Sequence, residues 1–483
     1  MASLPSDCWL IILKHLERED YRSLLLASKS THPFVESFLF REIAWEWRPI
    51  PFRKILLLFR AILQKPERAS HIQHLSLLSH QSVSTMDEWE LPICEVDPNE
   101  ELLGFQDVLR QAQTIVKTAH FPDAETWIGT LESGNPYSFV FILLSQLLNL
   151  QSLRLDYSFV WQSGLPGLML QHALSSSSSP LLSKFRLLRD VDYGGNIRRD
   201  KLSDGPDVID DEPGYPQCNP QQFPAWFYLL SLRSLTIWLR TKQGVELPDG
   251  PPNLSRLQSL ILARATIQET KIPEILSLAP HLETLHLGMA YRWGEERALS
   301  NGPFIVQGLD SIRESVTNLS IGIEWFPPTT CDVLLHEGEE ELTRPFDGLI
   351  TRFPKVRSVE ITANLLVVCS TDPSTDLTSV LSDQVEQLCL RMDYETVYWD
   401  DWGKRILDLV TNNAPKLRSH MPGLRRVCVR GWSRVWSNPR TSQRIDLTRA
   451  ACAQEGIHFE VISDQLSNGI WTETRICPER RIR

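Results

Sequence analysis

One short pattern returns along most of this chain and limits what the chain can fold into. It is an apolar residue, two arbitrary residues, a second apolar residue, one more residue and a third apolar residue. It reads IQHLSL at 72–77, LQSLRL at 150–155, LSKFRL at 182–187, LRSLTI at 232–237 and LQSLIL at 257–262. It continues as LETLHL at 282–287, VTNLSI at 316–321, VRSVEI at 356–361, VEQLCL at 385–390 and LRRVCV at 424–429. Side chains of a strand alternate between its faces. The second and third apolar positions therefore share a core face, and the residue between them looks the other way. Pro180, Pro280, Pro354 and Pro422 each stand two positions ahead of a copy. Proline there closes a preceding helix and turns the chain into a strand.

Helical segments separate the copies, among them IQETKIPEILSLA at 267–279, FIVQGLDSIRESV at 304–316 and WGKRILDLVTNNA at 402–414. A helix-plus-strand unit of this size cannot cover its own apolar face, so neighbours must stack on it. The expected fold class is α/β, with a parallel sheet running through a solenoid over residues 71–463. The units resemble leucine-rich repeats, irregular ones without the usual Asn after the strand. A doubly wound α/β enzyme is the structural rival. Ten like strand signatures and no Gly-rich phosphate loop count against it.

Composition narrows the function. The chain has 483 residues, 42% hydrophobic and 23% charged, which is ordinary for a soluble protein with a sizeable core. A formal net charge of -11 argues against a global grip on nucleic acid or an anionic membrane. Cysteines stand at 8, 94, 218, 331, 369, 389, 428, 452 and 477, with no CxxC pair. Such scatter fits neither a zinc site nor a disulfide framework and implies a reducing compartment, cytoplasmic and/or nuclear. The N-terminus lacks a secretory pattern.

The longest uncharged stretch, Ser133 to Leu153, is broken by Asn135, Pro136, Gln146, Asn149 and Gln151. A bilayer span needs roughly 20 predominantly apolar residues. A buried helix running into a strand is expected here instead, and no membrane partner. Residues 192–224 are rich in Gly, Pro and Asp and read as a mobile acidic insertion, dispensable for folding. SSSSS at 175–179 reads as a connector, HEGEEE at 336–341 as a solvated loop and residues 464–483 as a tail.

The first 47 residues stand apart. Leu10, Ile12, Leu13 and Leu16 recur at helical spacing, Glu17-Arg18-Glu19 breaks the run, and Tyr21, Leu24, Leu25 and Ala27 form a second short helix. Ser30 or Thr31 can cap a third, with Pro33 in its first turn and Phe34, Phe38, Leu39 and Ile43 on its apolar side. Three such helices bury little surface alone. Leu4-Pro5-x-Asp7, Ile12, Leu16, Asp20, Leu24, Ala27-Ser28-Lys29 and Leu39-Phe40-Arg41-Glu42-Ile43 together resemble the F-box, with a closing segment like that of fungal versions. Asp7 stands for the usual Glu, Tyr21 for Leu and Ala27 for Val, and the Trp often found after the Lys is absent.

The resemblance implies an F-box module over 1–47, a linking helix over 48–70 and a substrate-recognition subunit of an SCF-type cullin–RING ubiquitin ligase. Leu4, Pro5, Ile12, Leu16, Tyr21, Leu24 and Lys29 would meet the Skp-family adaptor, and through it a cullin. The solenoid would hold a protein substrate whose identity the sequence does not give. By strand alternation, Arg154, Asp156, Arg186, Trp238, His286, Glu360, Arg391 and Arg430 are expected to line the open face. Their mixed charge suits a protein or peptide rather than nucleic acid. A scaffold acting outside ubiquitination is the alternative.

Catalytic arrangements are missing from the sequence. There is no G-x-S-x-G elbow, Walker loop, H-E-x-x-H or dinucleotide fingerprint. His71-x-x-His74 straddles a strand start, where alternation sends the rings apart. Asp401 in YWDDWGK is expected to cap the following helix. No catalytic, cofactor-binding or metal-binding residue is expected, no cofactor, and most of the 15 tryptophans should fill the core.

Overall fold

A computed structural model describes residues 6–47, 49–79, 94–161, 164–175, 181–195, 219–241, 250–292, 301–326, 348–366, 376–392, 399–432 and 439–464. They fall into two compact units. The first is drawn from Met1–Ser82, Glu90–Tyr193 and Pro224–Leu232, the second from Gly194–Phe223 and Arg233–Arg483.

In the first unit α1 (Ser6–Leu13), α2 (Arg18–Ala27) and α3 (His32–Arg41) lead without an intervening residue into β1 (Glu42–Trp47). Next come α4 (Phe52–Gln64), α5 (Glu67–His71), β2 (His74–Ser79), α6 (Pro98–Leu103), α7 (Gln106–Thr118), α8 (Ala124–Glu132) and α9 (Pro136–Leu144). Then follow β3 (Ser152–Leu155), α10 (Tyr157–Trp161), α11 (Leu165–Leu174) and β4 (Asp190–Tyr193). Each strand pairs in parallel with the next in the chain, so Ile43, Leu75, Leu153 and Val191 lie side by side.

All residues of α9 are buried, which explains the apolar block FVFILL without a membrane. Asn135 caps it, its Oδ1 accepting from the Tyr137 N–H at 2.9 Å and the Ser138 N–H at 3.3 Å. Pro136 follows in the first turn, where its missing N–H costs nothing. The buried face of α4 packs on α9, with Phe52 edge-on to Phe139 at 5.4 Å.

The second unit repeats the idea with β5 (Ser234–Trp238), β6 (Ser259–Ala265), β7 (Thr284–Arg292), β8 (Asn318–Phe326), β9 (Ser358–Thr362), β10 (Gln387–Arg391), β11 (Arg426–Trp432) and β12 (His458–Asp464). All pair in parallel in chain order. Leu235, Leu260, Leu285, Leu319, Val359, Leu388, Val427 and Phe459 form one buried rung across the strands. Helices such as Ile272–Ser277, Gly302–Asp310, Trp399–His420 and Pro439–Gln454 lie between strands. The molecule is thus a mixed helix and parallel-sheet α/β protein with short helices at its start.

Nine of the ten pattern copies coincide with strands; LSKFRL does not. Those residues form a turn ahead of β4, where Phe185 takes a left-handed φ of 49°. The strand uses LRDVDY at 188–193, whose Leu188, Val191 and Tyr193 repeat the pattern six residues later. Arg186 therefore sits in a loop. Ile43, expected on the third helix, belongs to β1. The helix expected over 267–279 shrinks to a 3-10 turn at Glu269–Lys271 and the helix Ile272–Ser277. Asp401 lies inside Trp399–His420 rather than capping it. Of the acidic insertion 192–224, residues 196–218 lie outside the described residues, while Asp192, Tyr193, Gln222, Phe223 and Pro224 are buried. Residues 176–179, the HEGEEE stretch and residues 465–483 also lie outside them.

Candidate functional site

The N-terminal helices make a small core from Leu13 and Val35, both without solvent exposure. Trp9 stacks on Phe34 at 6.3 Å, and Tyr21 leans on Phe38 at 6.0 Å. The Tyr21 hydroxyl donates to the Leu13 carbonyl at 2.6 Å, tying α2 to the end of α1. At the start of α2, Asp20 accepts from the Glu17 N–H at 2.9 Å. Thr31 opens α3 and donates to the Ser28 carbonyl at 2.7 Å. Glu36 then anchors α3 to the corner between α4 and α5, pairing with Arg68 at 2.7 Å and with Lys65. Partial burial raises the Glu36 carboxyl, and the hydrogen bonds and charges of Lys65 and Arg68 more than reverse this, holding it below the ordinary carboxylate range.

The structure divides the seven residues expected on the adaptor face. Leu4 and Pro5 lie outside the described residues. Ile12 and Lys29 are exposed and Leu24 is half-buried. Leu16 and Tyr21 instead line a cleft of about 460 Å³ with Phe38, Leu39, Arg41 and His74, where the helices meet the first strands. Two apolar residues that periodicity did not single out, Ile11 and Leu26, are more exposed than Ile12. The available signal was a large aliphatic side chain on the polar side of each helix.

The expected open face needs correction. Strand alternation puts the residues between the core positions on one face, and the ladder aligns His286 with Ser320 and Ser320 with Glu360. Yet Asp156, Trp238, His286, Glu360, Arg391 and Arg430 are buried; only Arg186 is exposed and Arg154 half-buried. Sheets made wholly of parallel strands are covered on both faces, as a rule. Here β7 and β8 run past the pattern and bury Met289, Ala290, Tyr291 and Ile323 as well.

Several of the buried polar groups on this face pair with one another. Glu360 accepts from Arg391 on the adjacent strand at 2.6 Å and from Arg430, one strand further on, at 3.5 Å. His286 Nδ1 meets Ser320 Oγ at 2.7 Å. Burial, then the charges of Arg391 and Arg430, hold that imidazole well below the usual histidine range. Arg154 pairs with Asp192 at 3.4 Å.

Activated groups do not emerge from these surroundings. Burial pushes the thiols of Cys94 and Cys452 up to about 11, away from the reactive thiolate. The Cys389 thiol is likewise held well above its ordinary range, by its hydrogen bond to Cys428 and then by burial. His71 ends α5 and His74 opens β2, and among the described residues no cluster of three metal-ligating side chains occurs. No helix among them is long and apolar enough to cross a membrane.

Residues 1–42 match the F-box domain, over the helices just described. The chain thus carries an F-box at its start. A search of curated proteins returned no match to the chain.

Proposed function

We propose that this chain is the substrate-recognition subunit of an SCF-type cullin–RING ubiquitin ligase. The F-box domain at residues 1–42 carries this reading, because F-box domains bind Skp-type adaptors. The exposed aliphatic side chains Ile11, Ile12 and Leu26 on α1 and α2 supply an apolar docking surface of the kind such a contact needs. Leu24 and Lys29 would extend it, Leu16 and Tyr21 would shape it from within, and the F-box resemblance adds Leu4 and Pro5 to the residues that would meet the adaptor.

In this reading the module spans 1–47, a linking helix 48–70 and a leucine-rich-repeat-like solenoid 71–463, with an insertion at 192–224 and a tail at 464–483. The repeated apolar pattern and the chain-order parallel pairing support the solenoid. The chain would bring a protein substrate to the ligase and orient it, while bond-making stays with the partners. It would be a receptor, not an enzyme.

Co-precipitation from cells tests this. Full-length protein should capture a Skp-family adaptor and a cullin. Leu26→Asp, which touches no core, should lose most of that capture with circular dichroism unchanged, since losing a central anchor costs about 2 kcal/mol or more. Capture of adaptor without cullin would favour the scaffold role. If the wild type captures no adaptor, or the variant captures as much, the receptor reading falls.

A further inference from the structure

With most of the expected strand-face residues buried, the structure offers another place to hold a partner, a rim built by the loops of the first unit that lead into β3, β4 and β5. Three of these loops are bonded side by side. Ser183 donates through its N–H to the Ser145 carbonyl at 2.7 Å and through its hydroxyl to the Leu147 carbonyl at 2.7 Å. Ser231 donates to the Arg186 carbonyl at 2.6 Å. Each loop presents leucines to solvent: Leu148 is 59% exposed, Leu181 55%, Leu187 39% and Leu230 66%. Isolated exposed leucines are common, but four on adjoining loops make a patch.

Phe185 explains how the middle loop presents its side chains. The residue takes a φ of 49°, a region that a bulky side chain rarely enters, and its ring is buried. Arg186 and Leu187, which follow the anchored ring, are both exposed. This segment is LSKFRL, the pattern copy that forms no strand.

The rim is also basic. Residues 181–190 carry Lys184, Arg186 and Arg189 against the single carboxylate of Asp190, and the loops at 145–151 and 229–232 carry no charge. Arg186 and Arg189 are exposed and have no ion-pair partner among the described residues. The ammonium of Lys184 is lowered first by burial and then by the charge of Arg186, as expected where cations crowd.

We propose that this rim, centred on Leu187 with Arg186 and Arg189, docks an acidic amphipathic peptide segment that sets leucine-like side chains among the four leucines and carboxylates against the arginines. The proposal deepens the receptor reading by naming the class of substrate segment. Apolar anchors ringed by complementary charge are a common form of peptide recognition.

The probe is a short fluorescent peptide of leucine and glutamate with its leucines at helical spacing. Fluorescence anisotropy measures its binding to the purified full chain without adaptor. Binding should weaken about tenfold in the Arg186→Glu, Arg189→Glu variant, and similarly in the Leu187→Ser, Leu230→Ser variant. Counterparts of the peptide with serine for leucine, or lysine for glutamate, should bind poorly. The proposal is overturned if the wild type does not bind the probe, if both variants bind it unchanged, or if the lysine peptide or a single-stranded oligonucleotide binds as well. Adaptor capture by the same preparations separates the two readings. Peptide binding without adaptor capture sinks the receptor role and keeps the docking rim; adaptor capture without peptide binding does the reverse.

Discussion

At the residue scale, His286 shows what burial does to a polar group chosen for the outward face. Its Nδ1 is satisfied by Ser320, its Nε2 has no hydrogen-bond partner among the described residues, and the ring stays neutral in the folded protein. In the unfolded chain the same ring takes a proton near pH 6.5. Because the folded value is depressed, the unfolded state binds the extra proton as pH falls below that value, and stability drops. The slope approaches about 1.4 kcal/mol per pH unit for one group. His286→Asn should therefore flatten the fall in urea midpoint between neutral pH and about pH 5 by one proton's worth. An unchanged slope would mean that His286 titrates alike in both states. The sequence told which face this residue occupies, since alternation is geometric. It did not tell that the face is covered, since coverage depends on groups far away in the chain.

At the element scale, the pattern succeeded where two apolar rungs and a leading apolar residue coincide, and failed in three instructive places. In β12 the leading position is Gly456, in a left-handed conformation with φ of 69°, so the motif reads as broken although Phe459 continues the buried rung. In β1 the pattern FREIAW at 40–45 is intact, but its residues also close the helical module and were claimed by it. Ahead of β4 two overlapping patterns compete, and the later one wins because Leu188, Val191 and Tyr193 align with Leu150, Leu153 and Leu155. Helices were less legible still, because their packing depends on close approaches that periodicity ignores. Gly308 is one: a Cβ there would stand 3.2 Å from Leu276 Cδ1 and from the Pro273 backbone of the neighbouring helix. Gly308→Val should cost about 1–3 kcal/mol by forcing the helices apart, seen as a lowered melting temperature, and Gly308→Ala distinctly less. Equal melting temperatures for both would show that the helices separate freely.

For the molecule as a whole, a boundary drawn at residue 47 cuts through a hydrogen-bonded ladder. β1 belongs to the sheet, its residues pairing from Glu42↔His74 to Trp47↔Ser79. A chain beginning at residue 48 should expose the edge of β2 and associate, because an unpaired strand edge is a template for pairing. A chain beginning at Glu42 keeps β1 and should remain closer to monomeric. Size-exclusion chromatography of the two decides it, and identical elution as monomers would make β1 dispensable.

The direct passage from Arg41, the last residue of α3, to Glu42, the first of β1, has a mechanical meaning. Between the helices that would be gripped by an adaptor and the first rung of the sheet there is no joint. Glu36 braces the same corner through Lys65 and Arg68. A torque applied to α3 is delivered to the sheet through continuous main chain, so the cant of one fixes the cant of the other. Whatever is carried near β1 would then be held out at a set reach and angle, like a load on a welded bracket rather than on a tether.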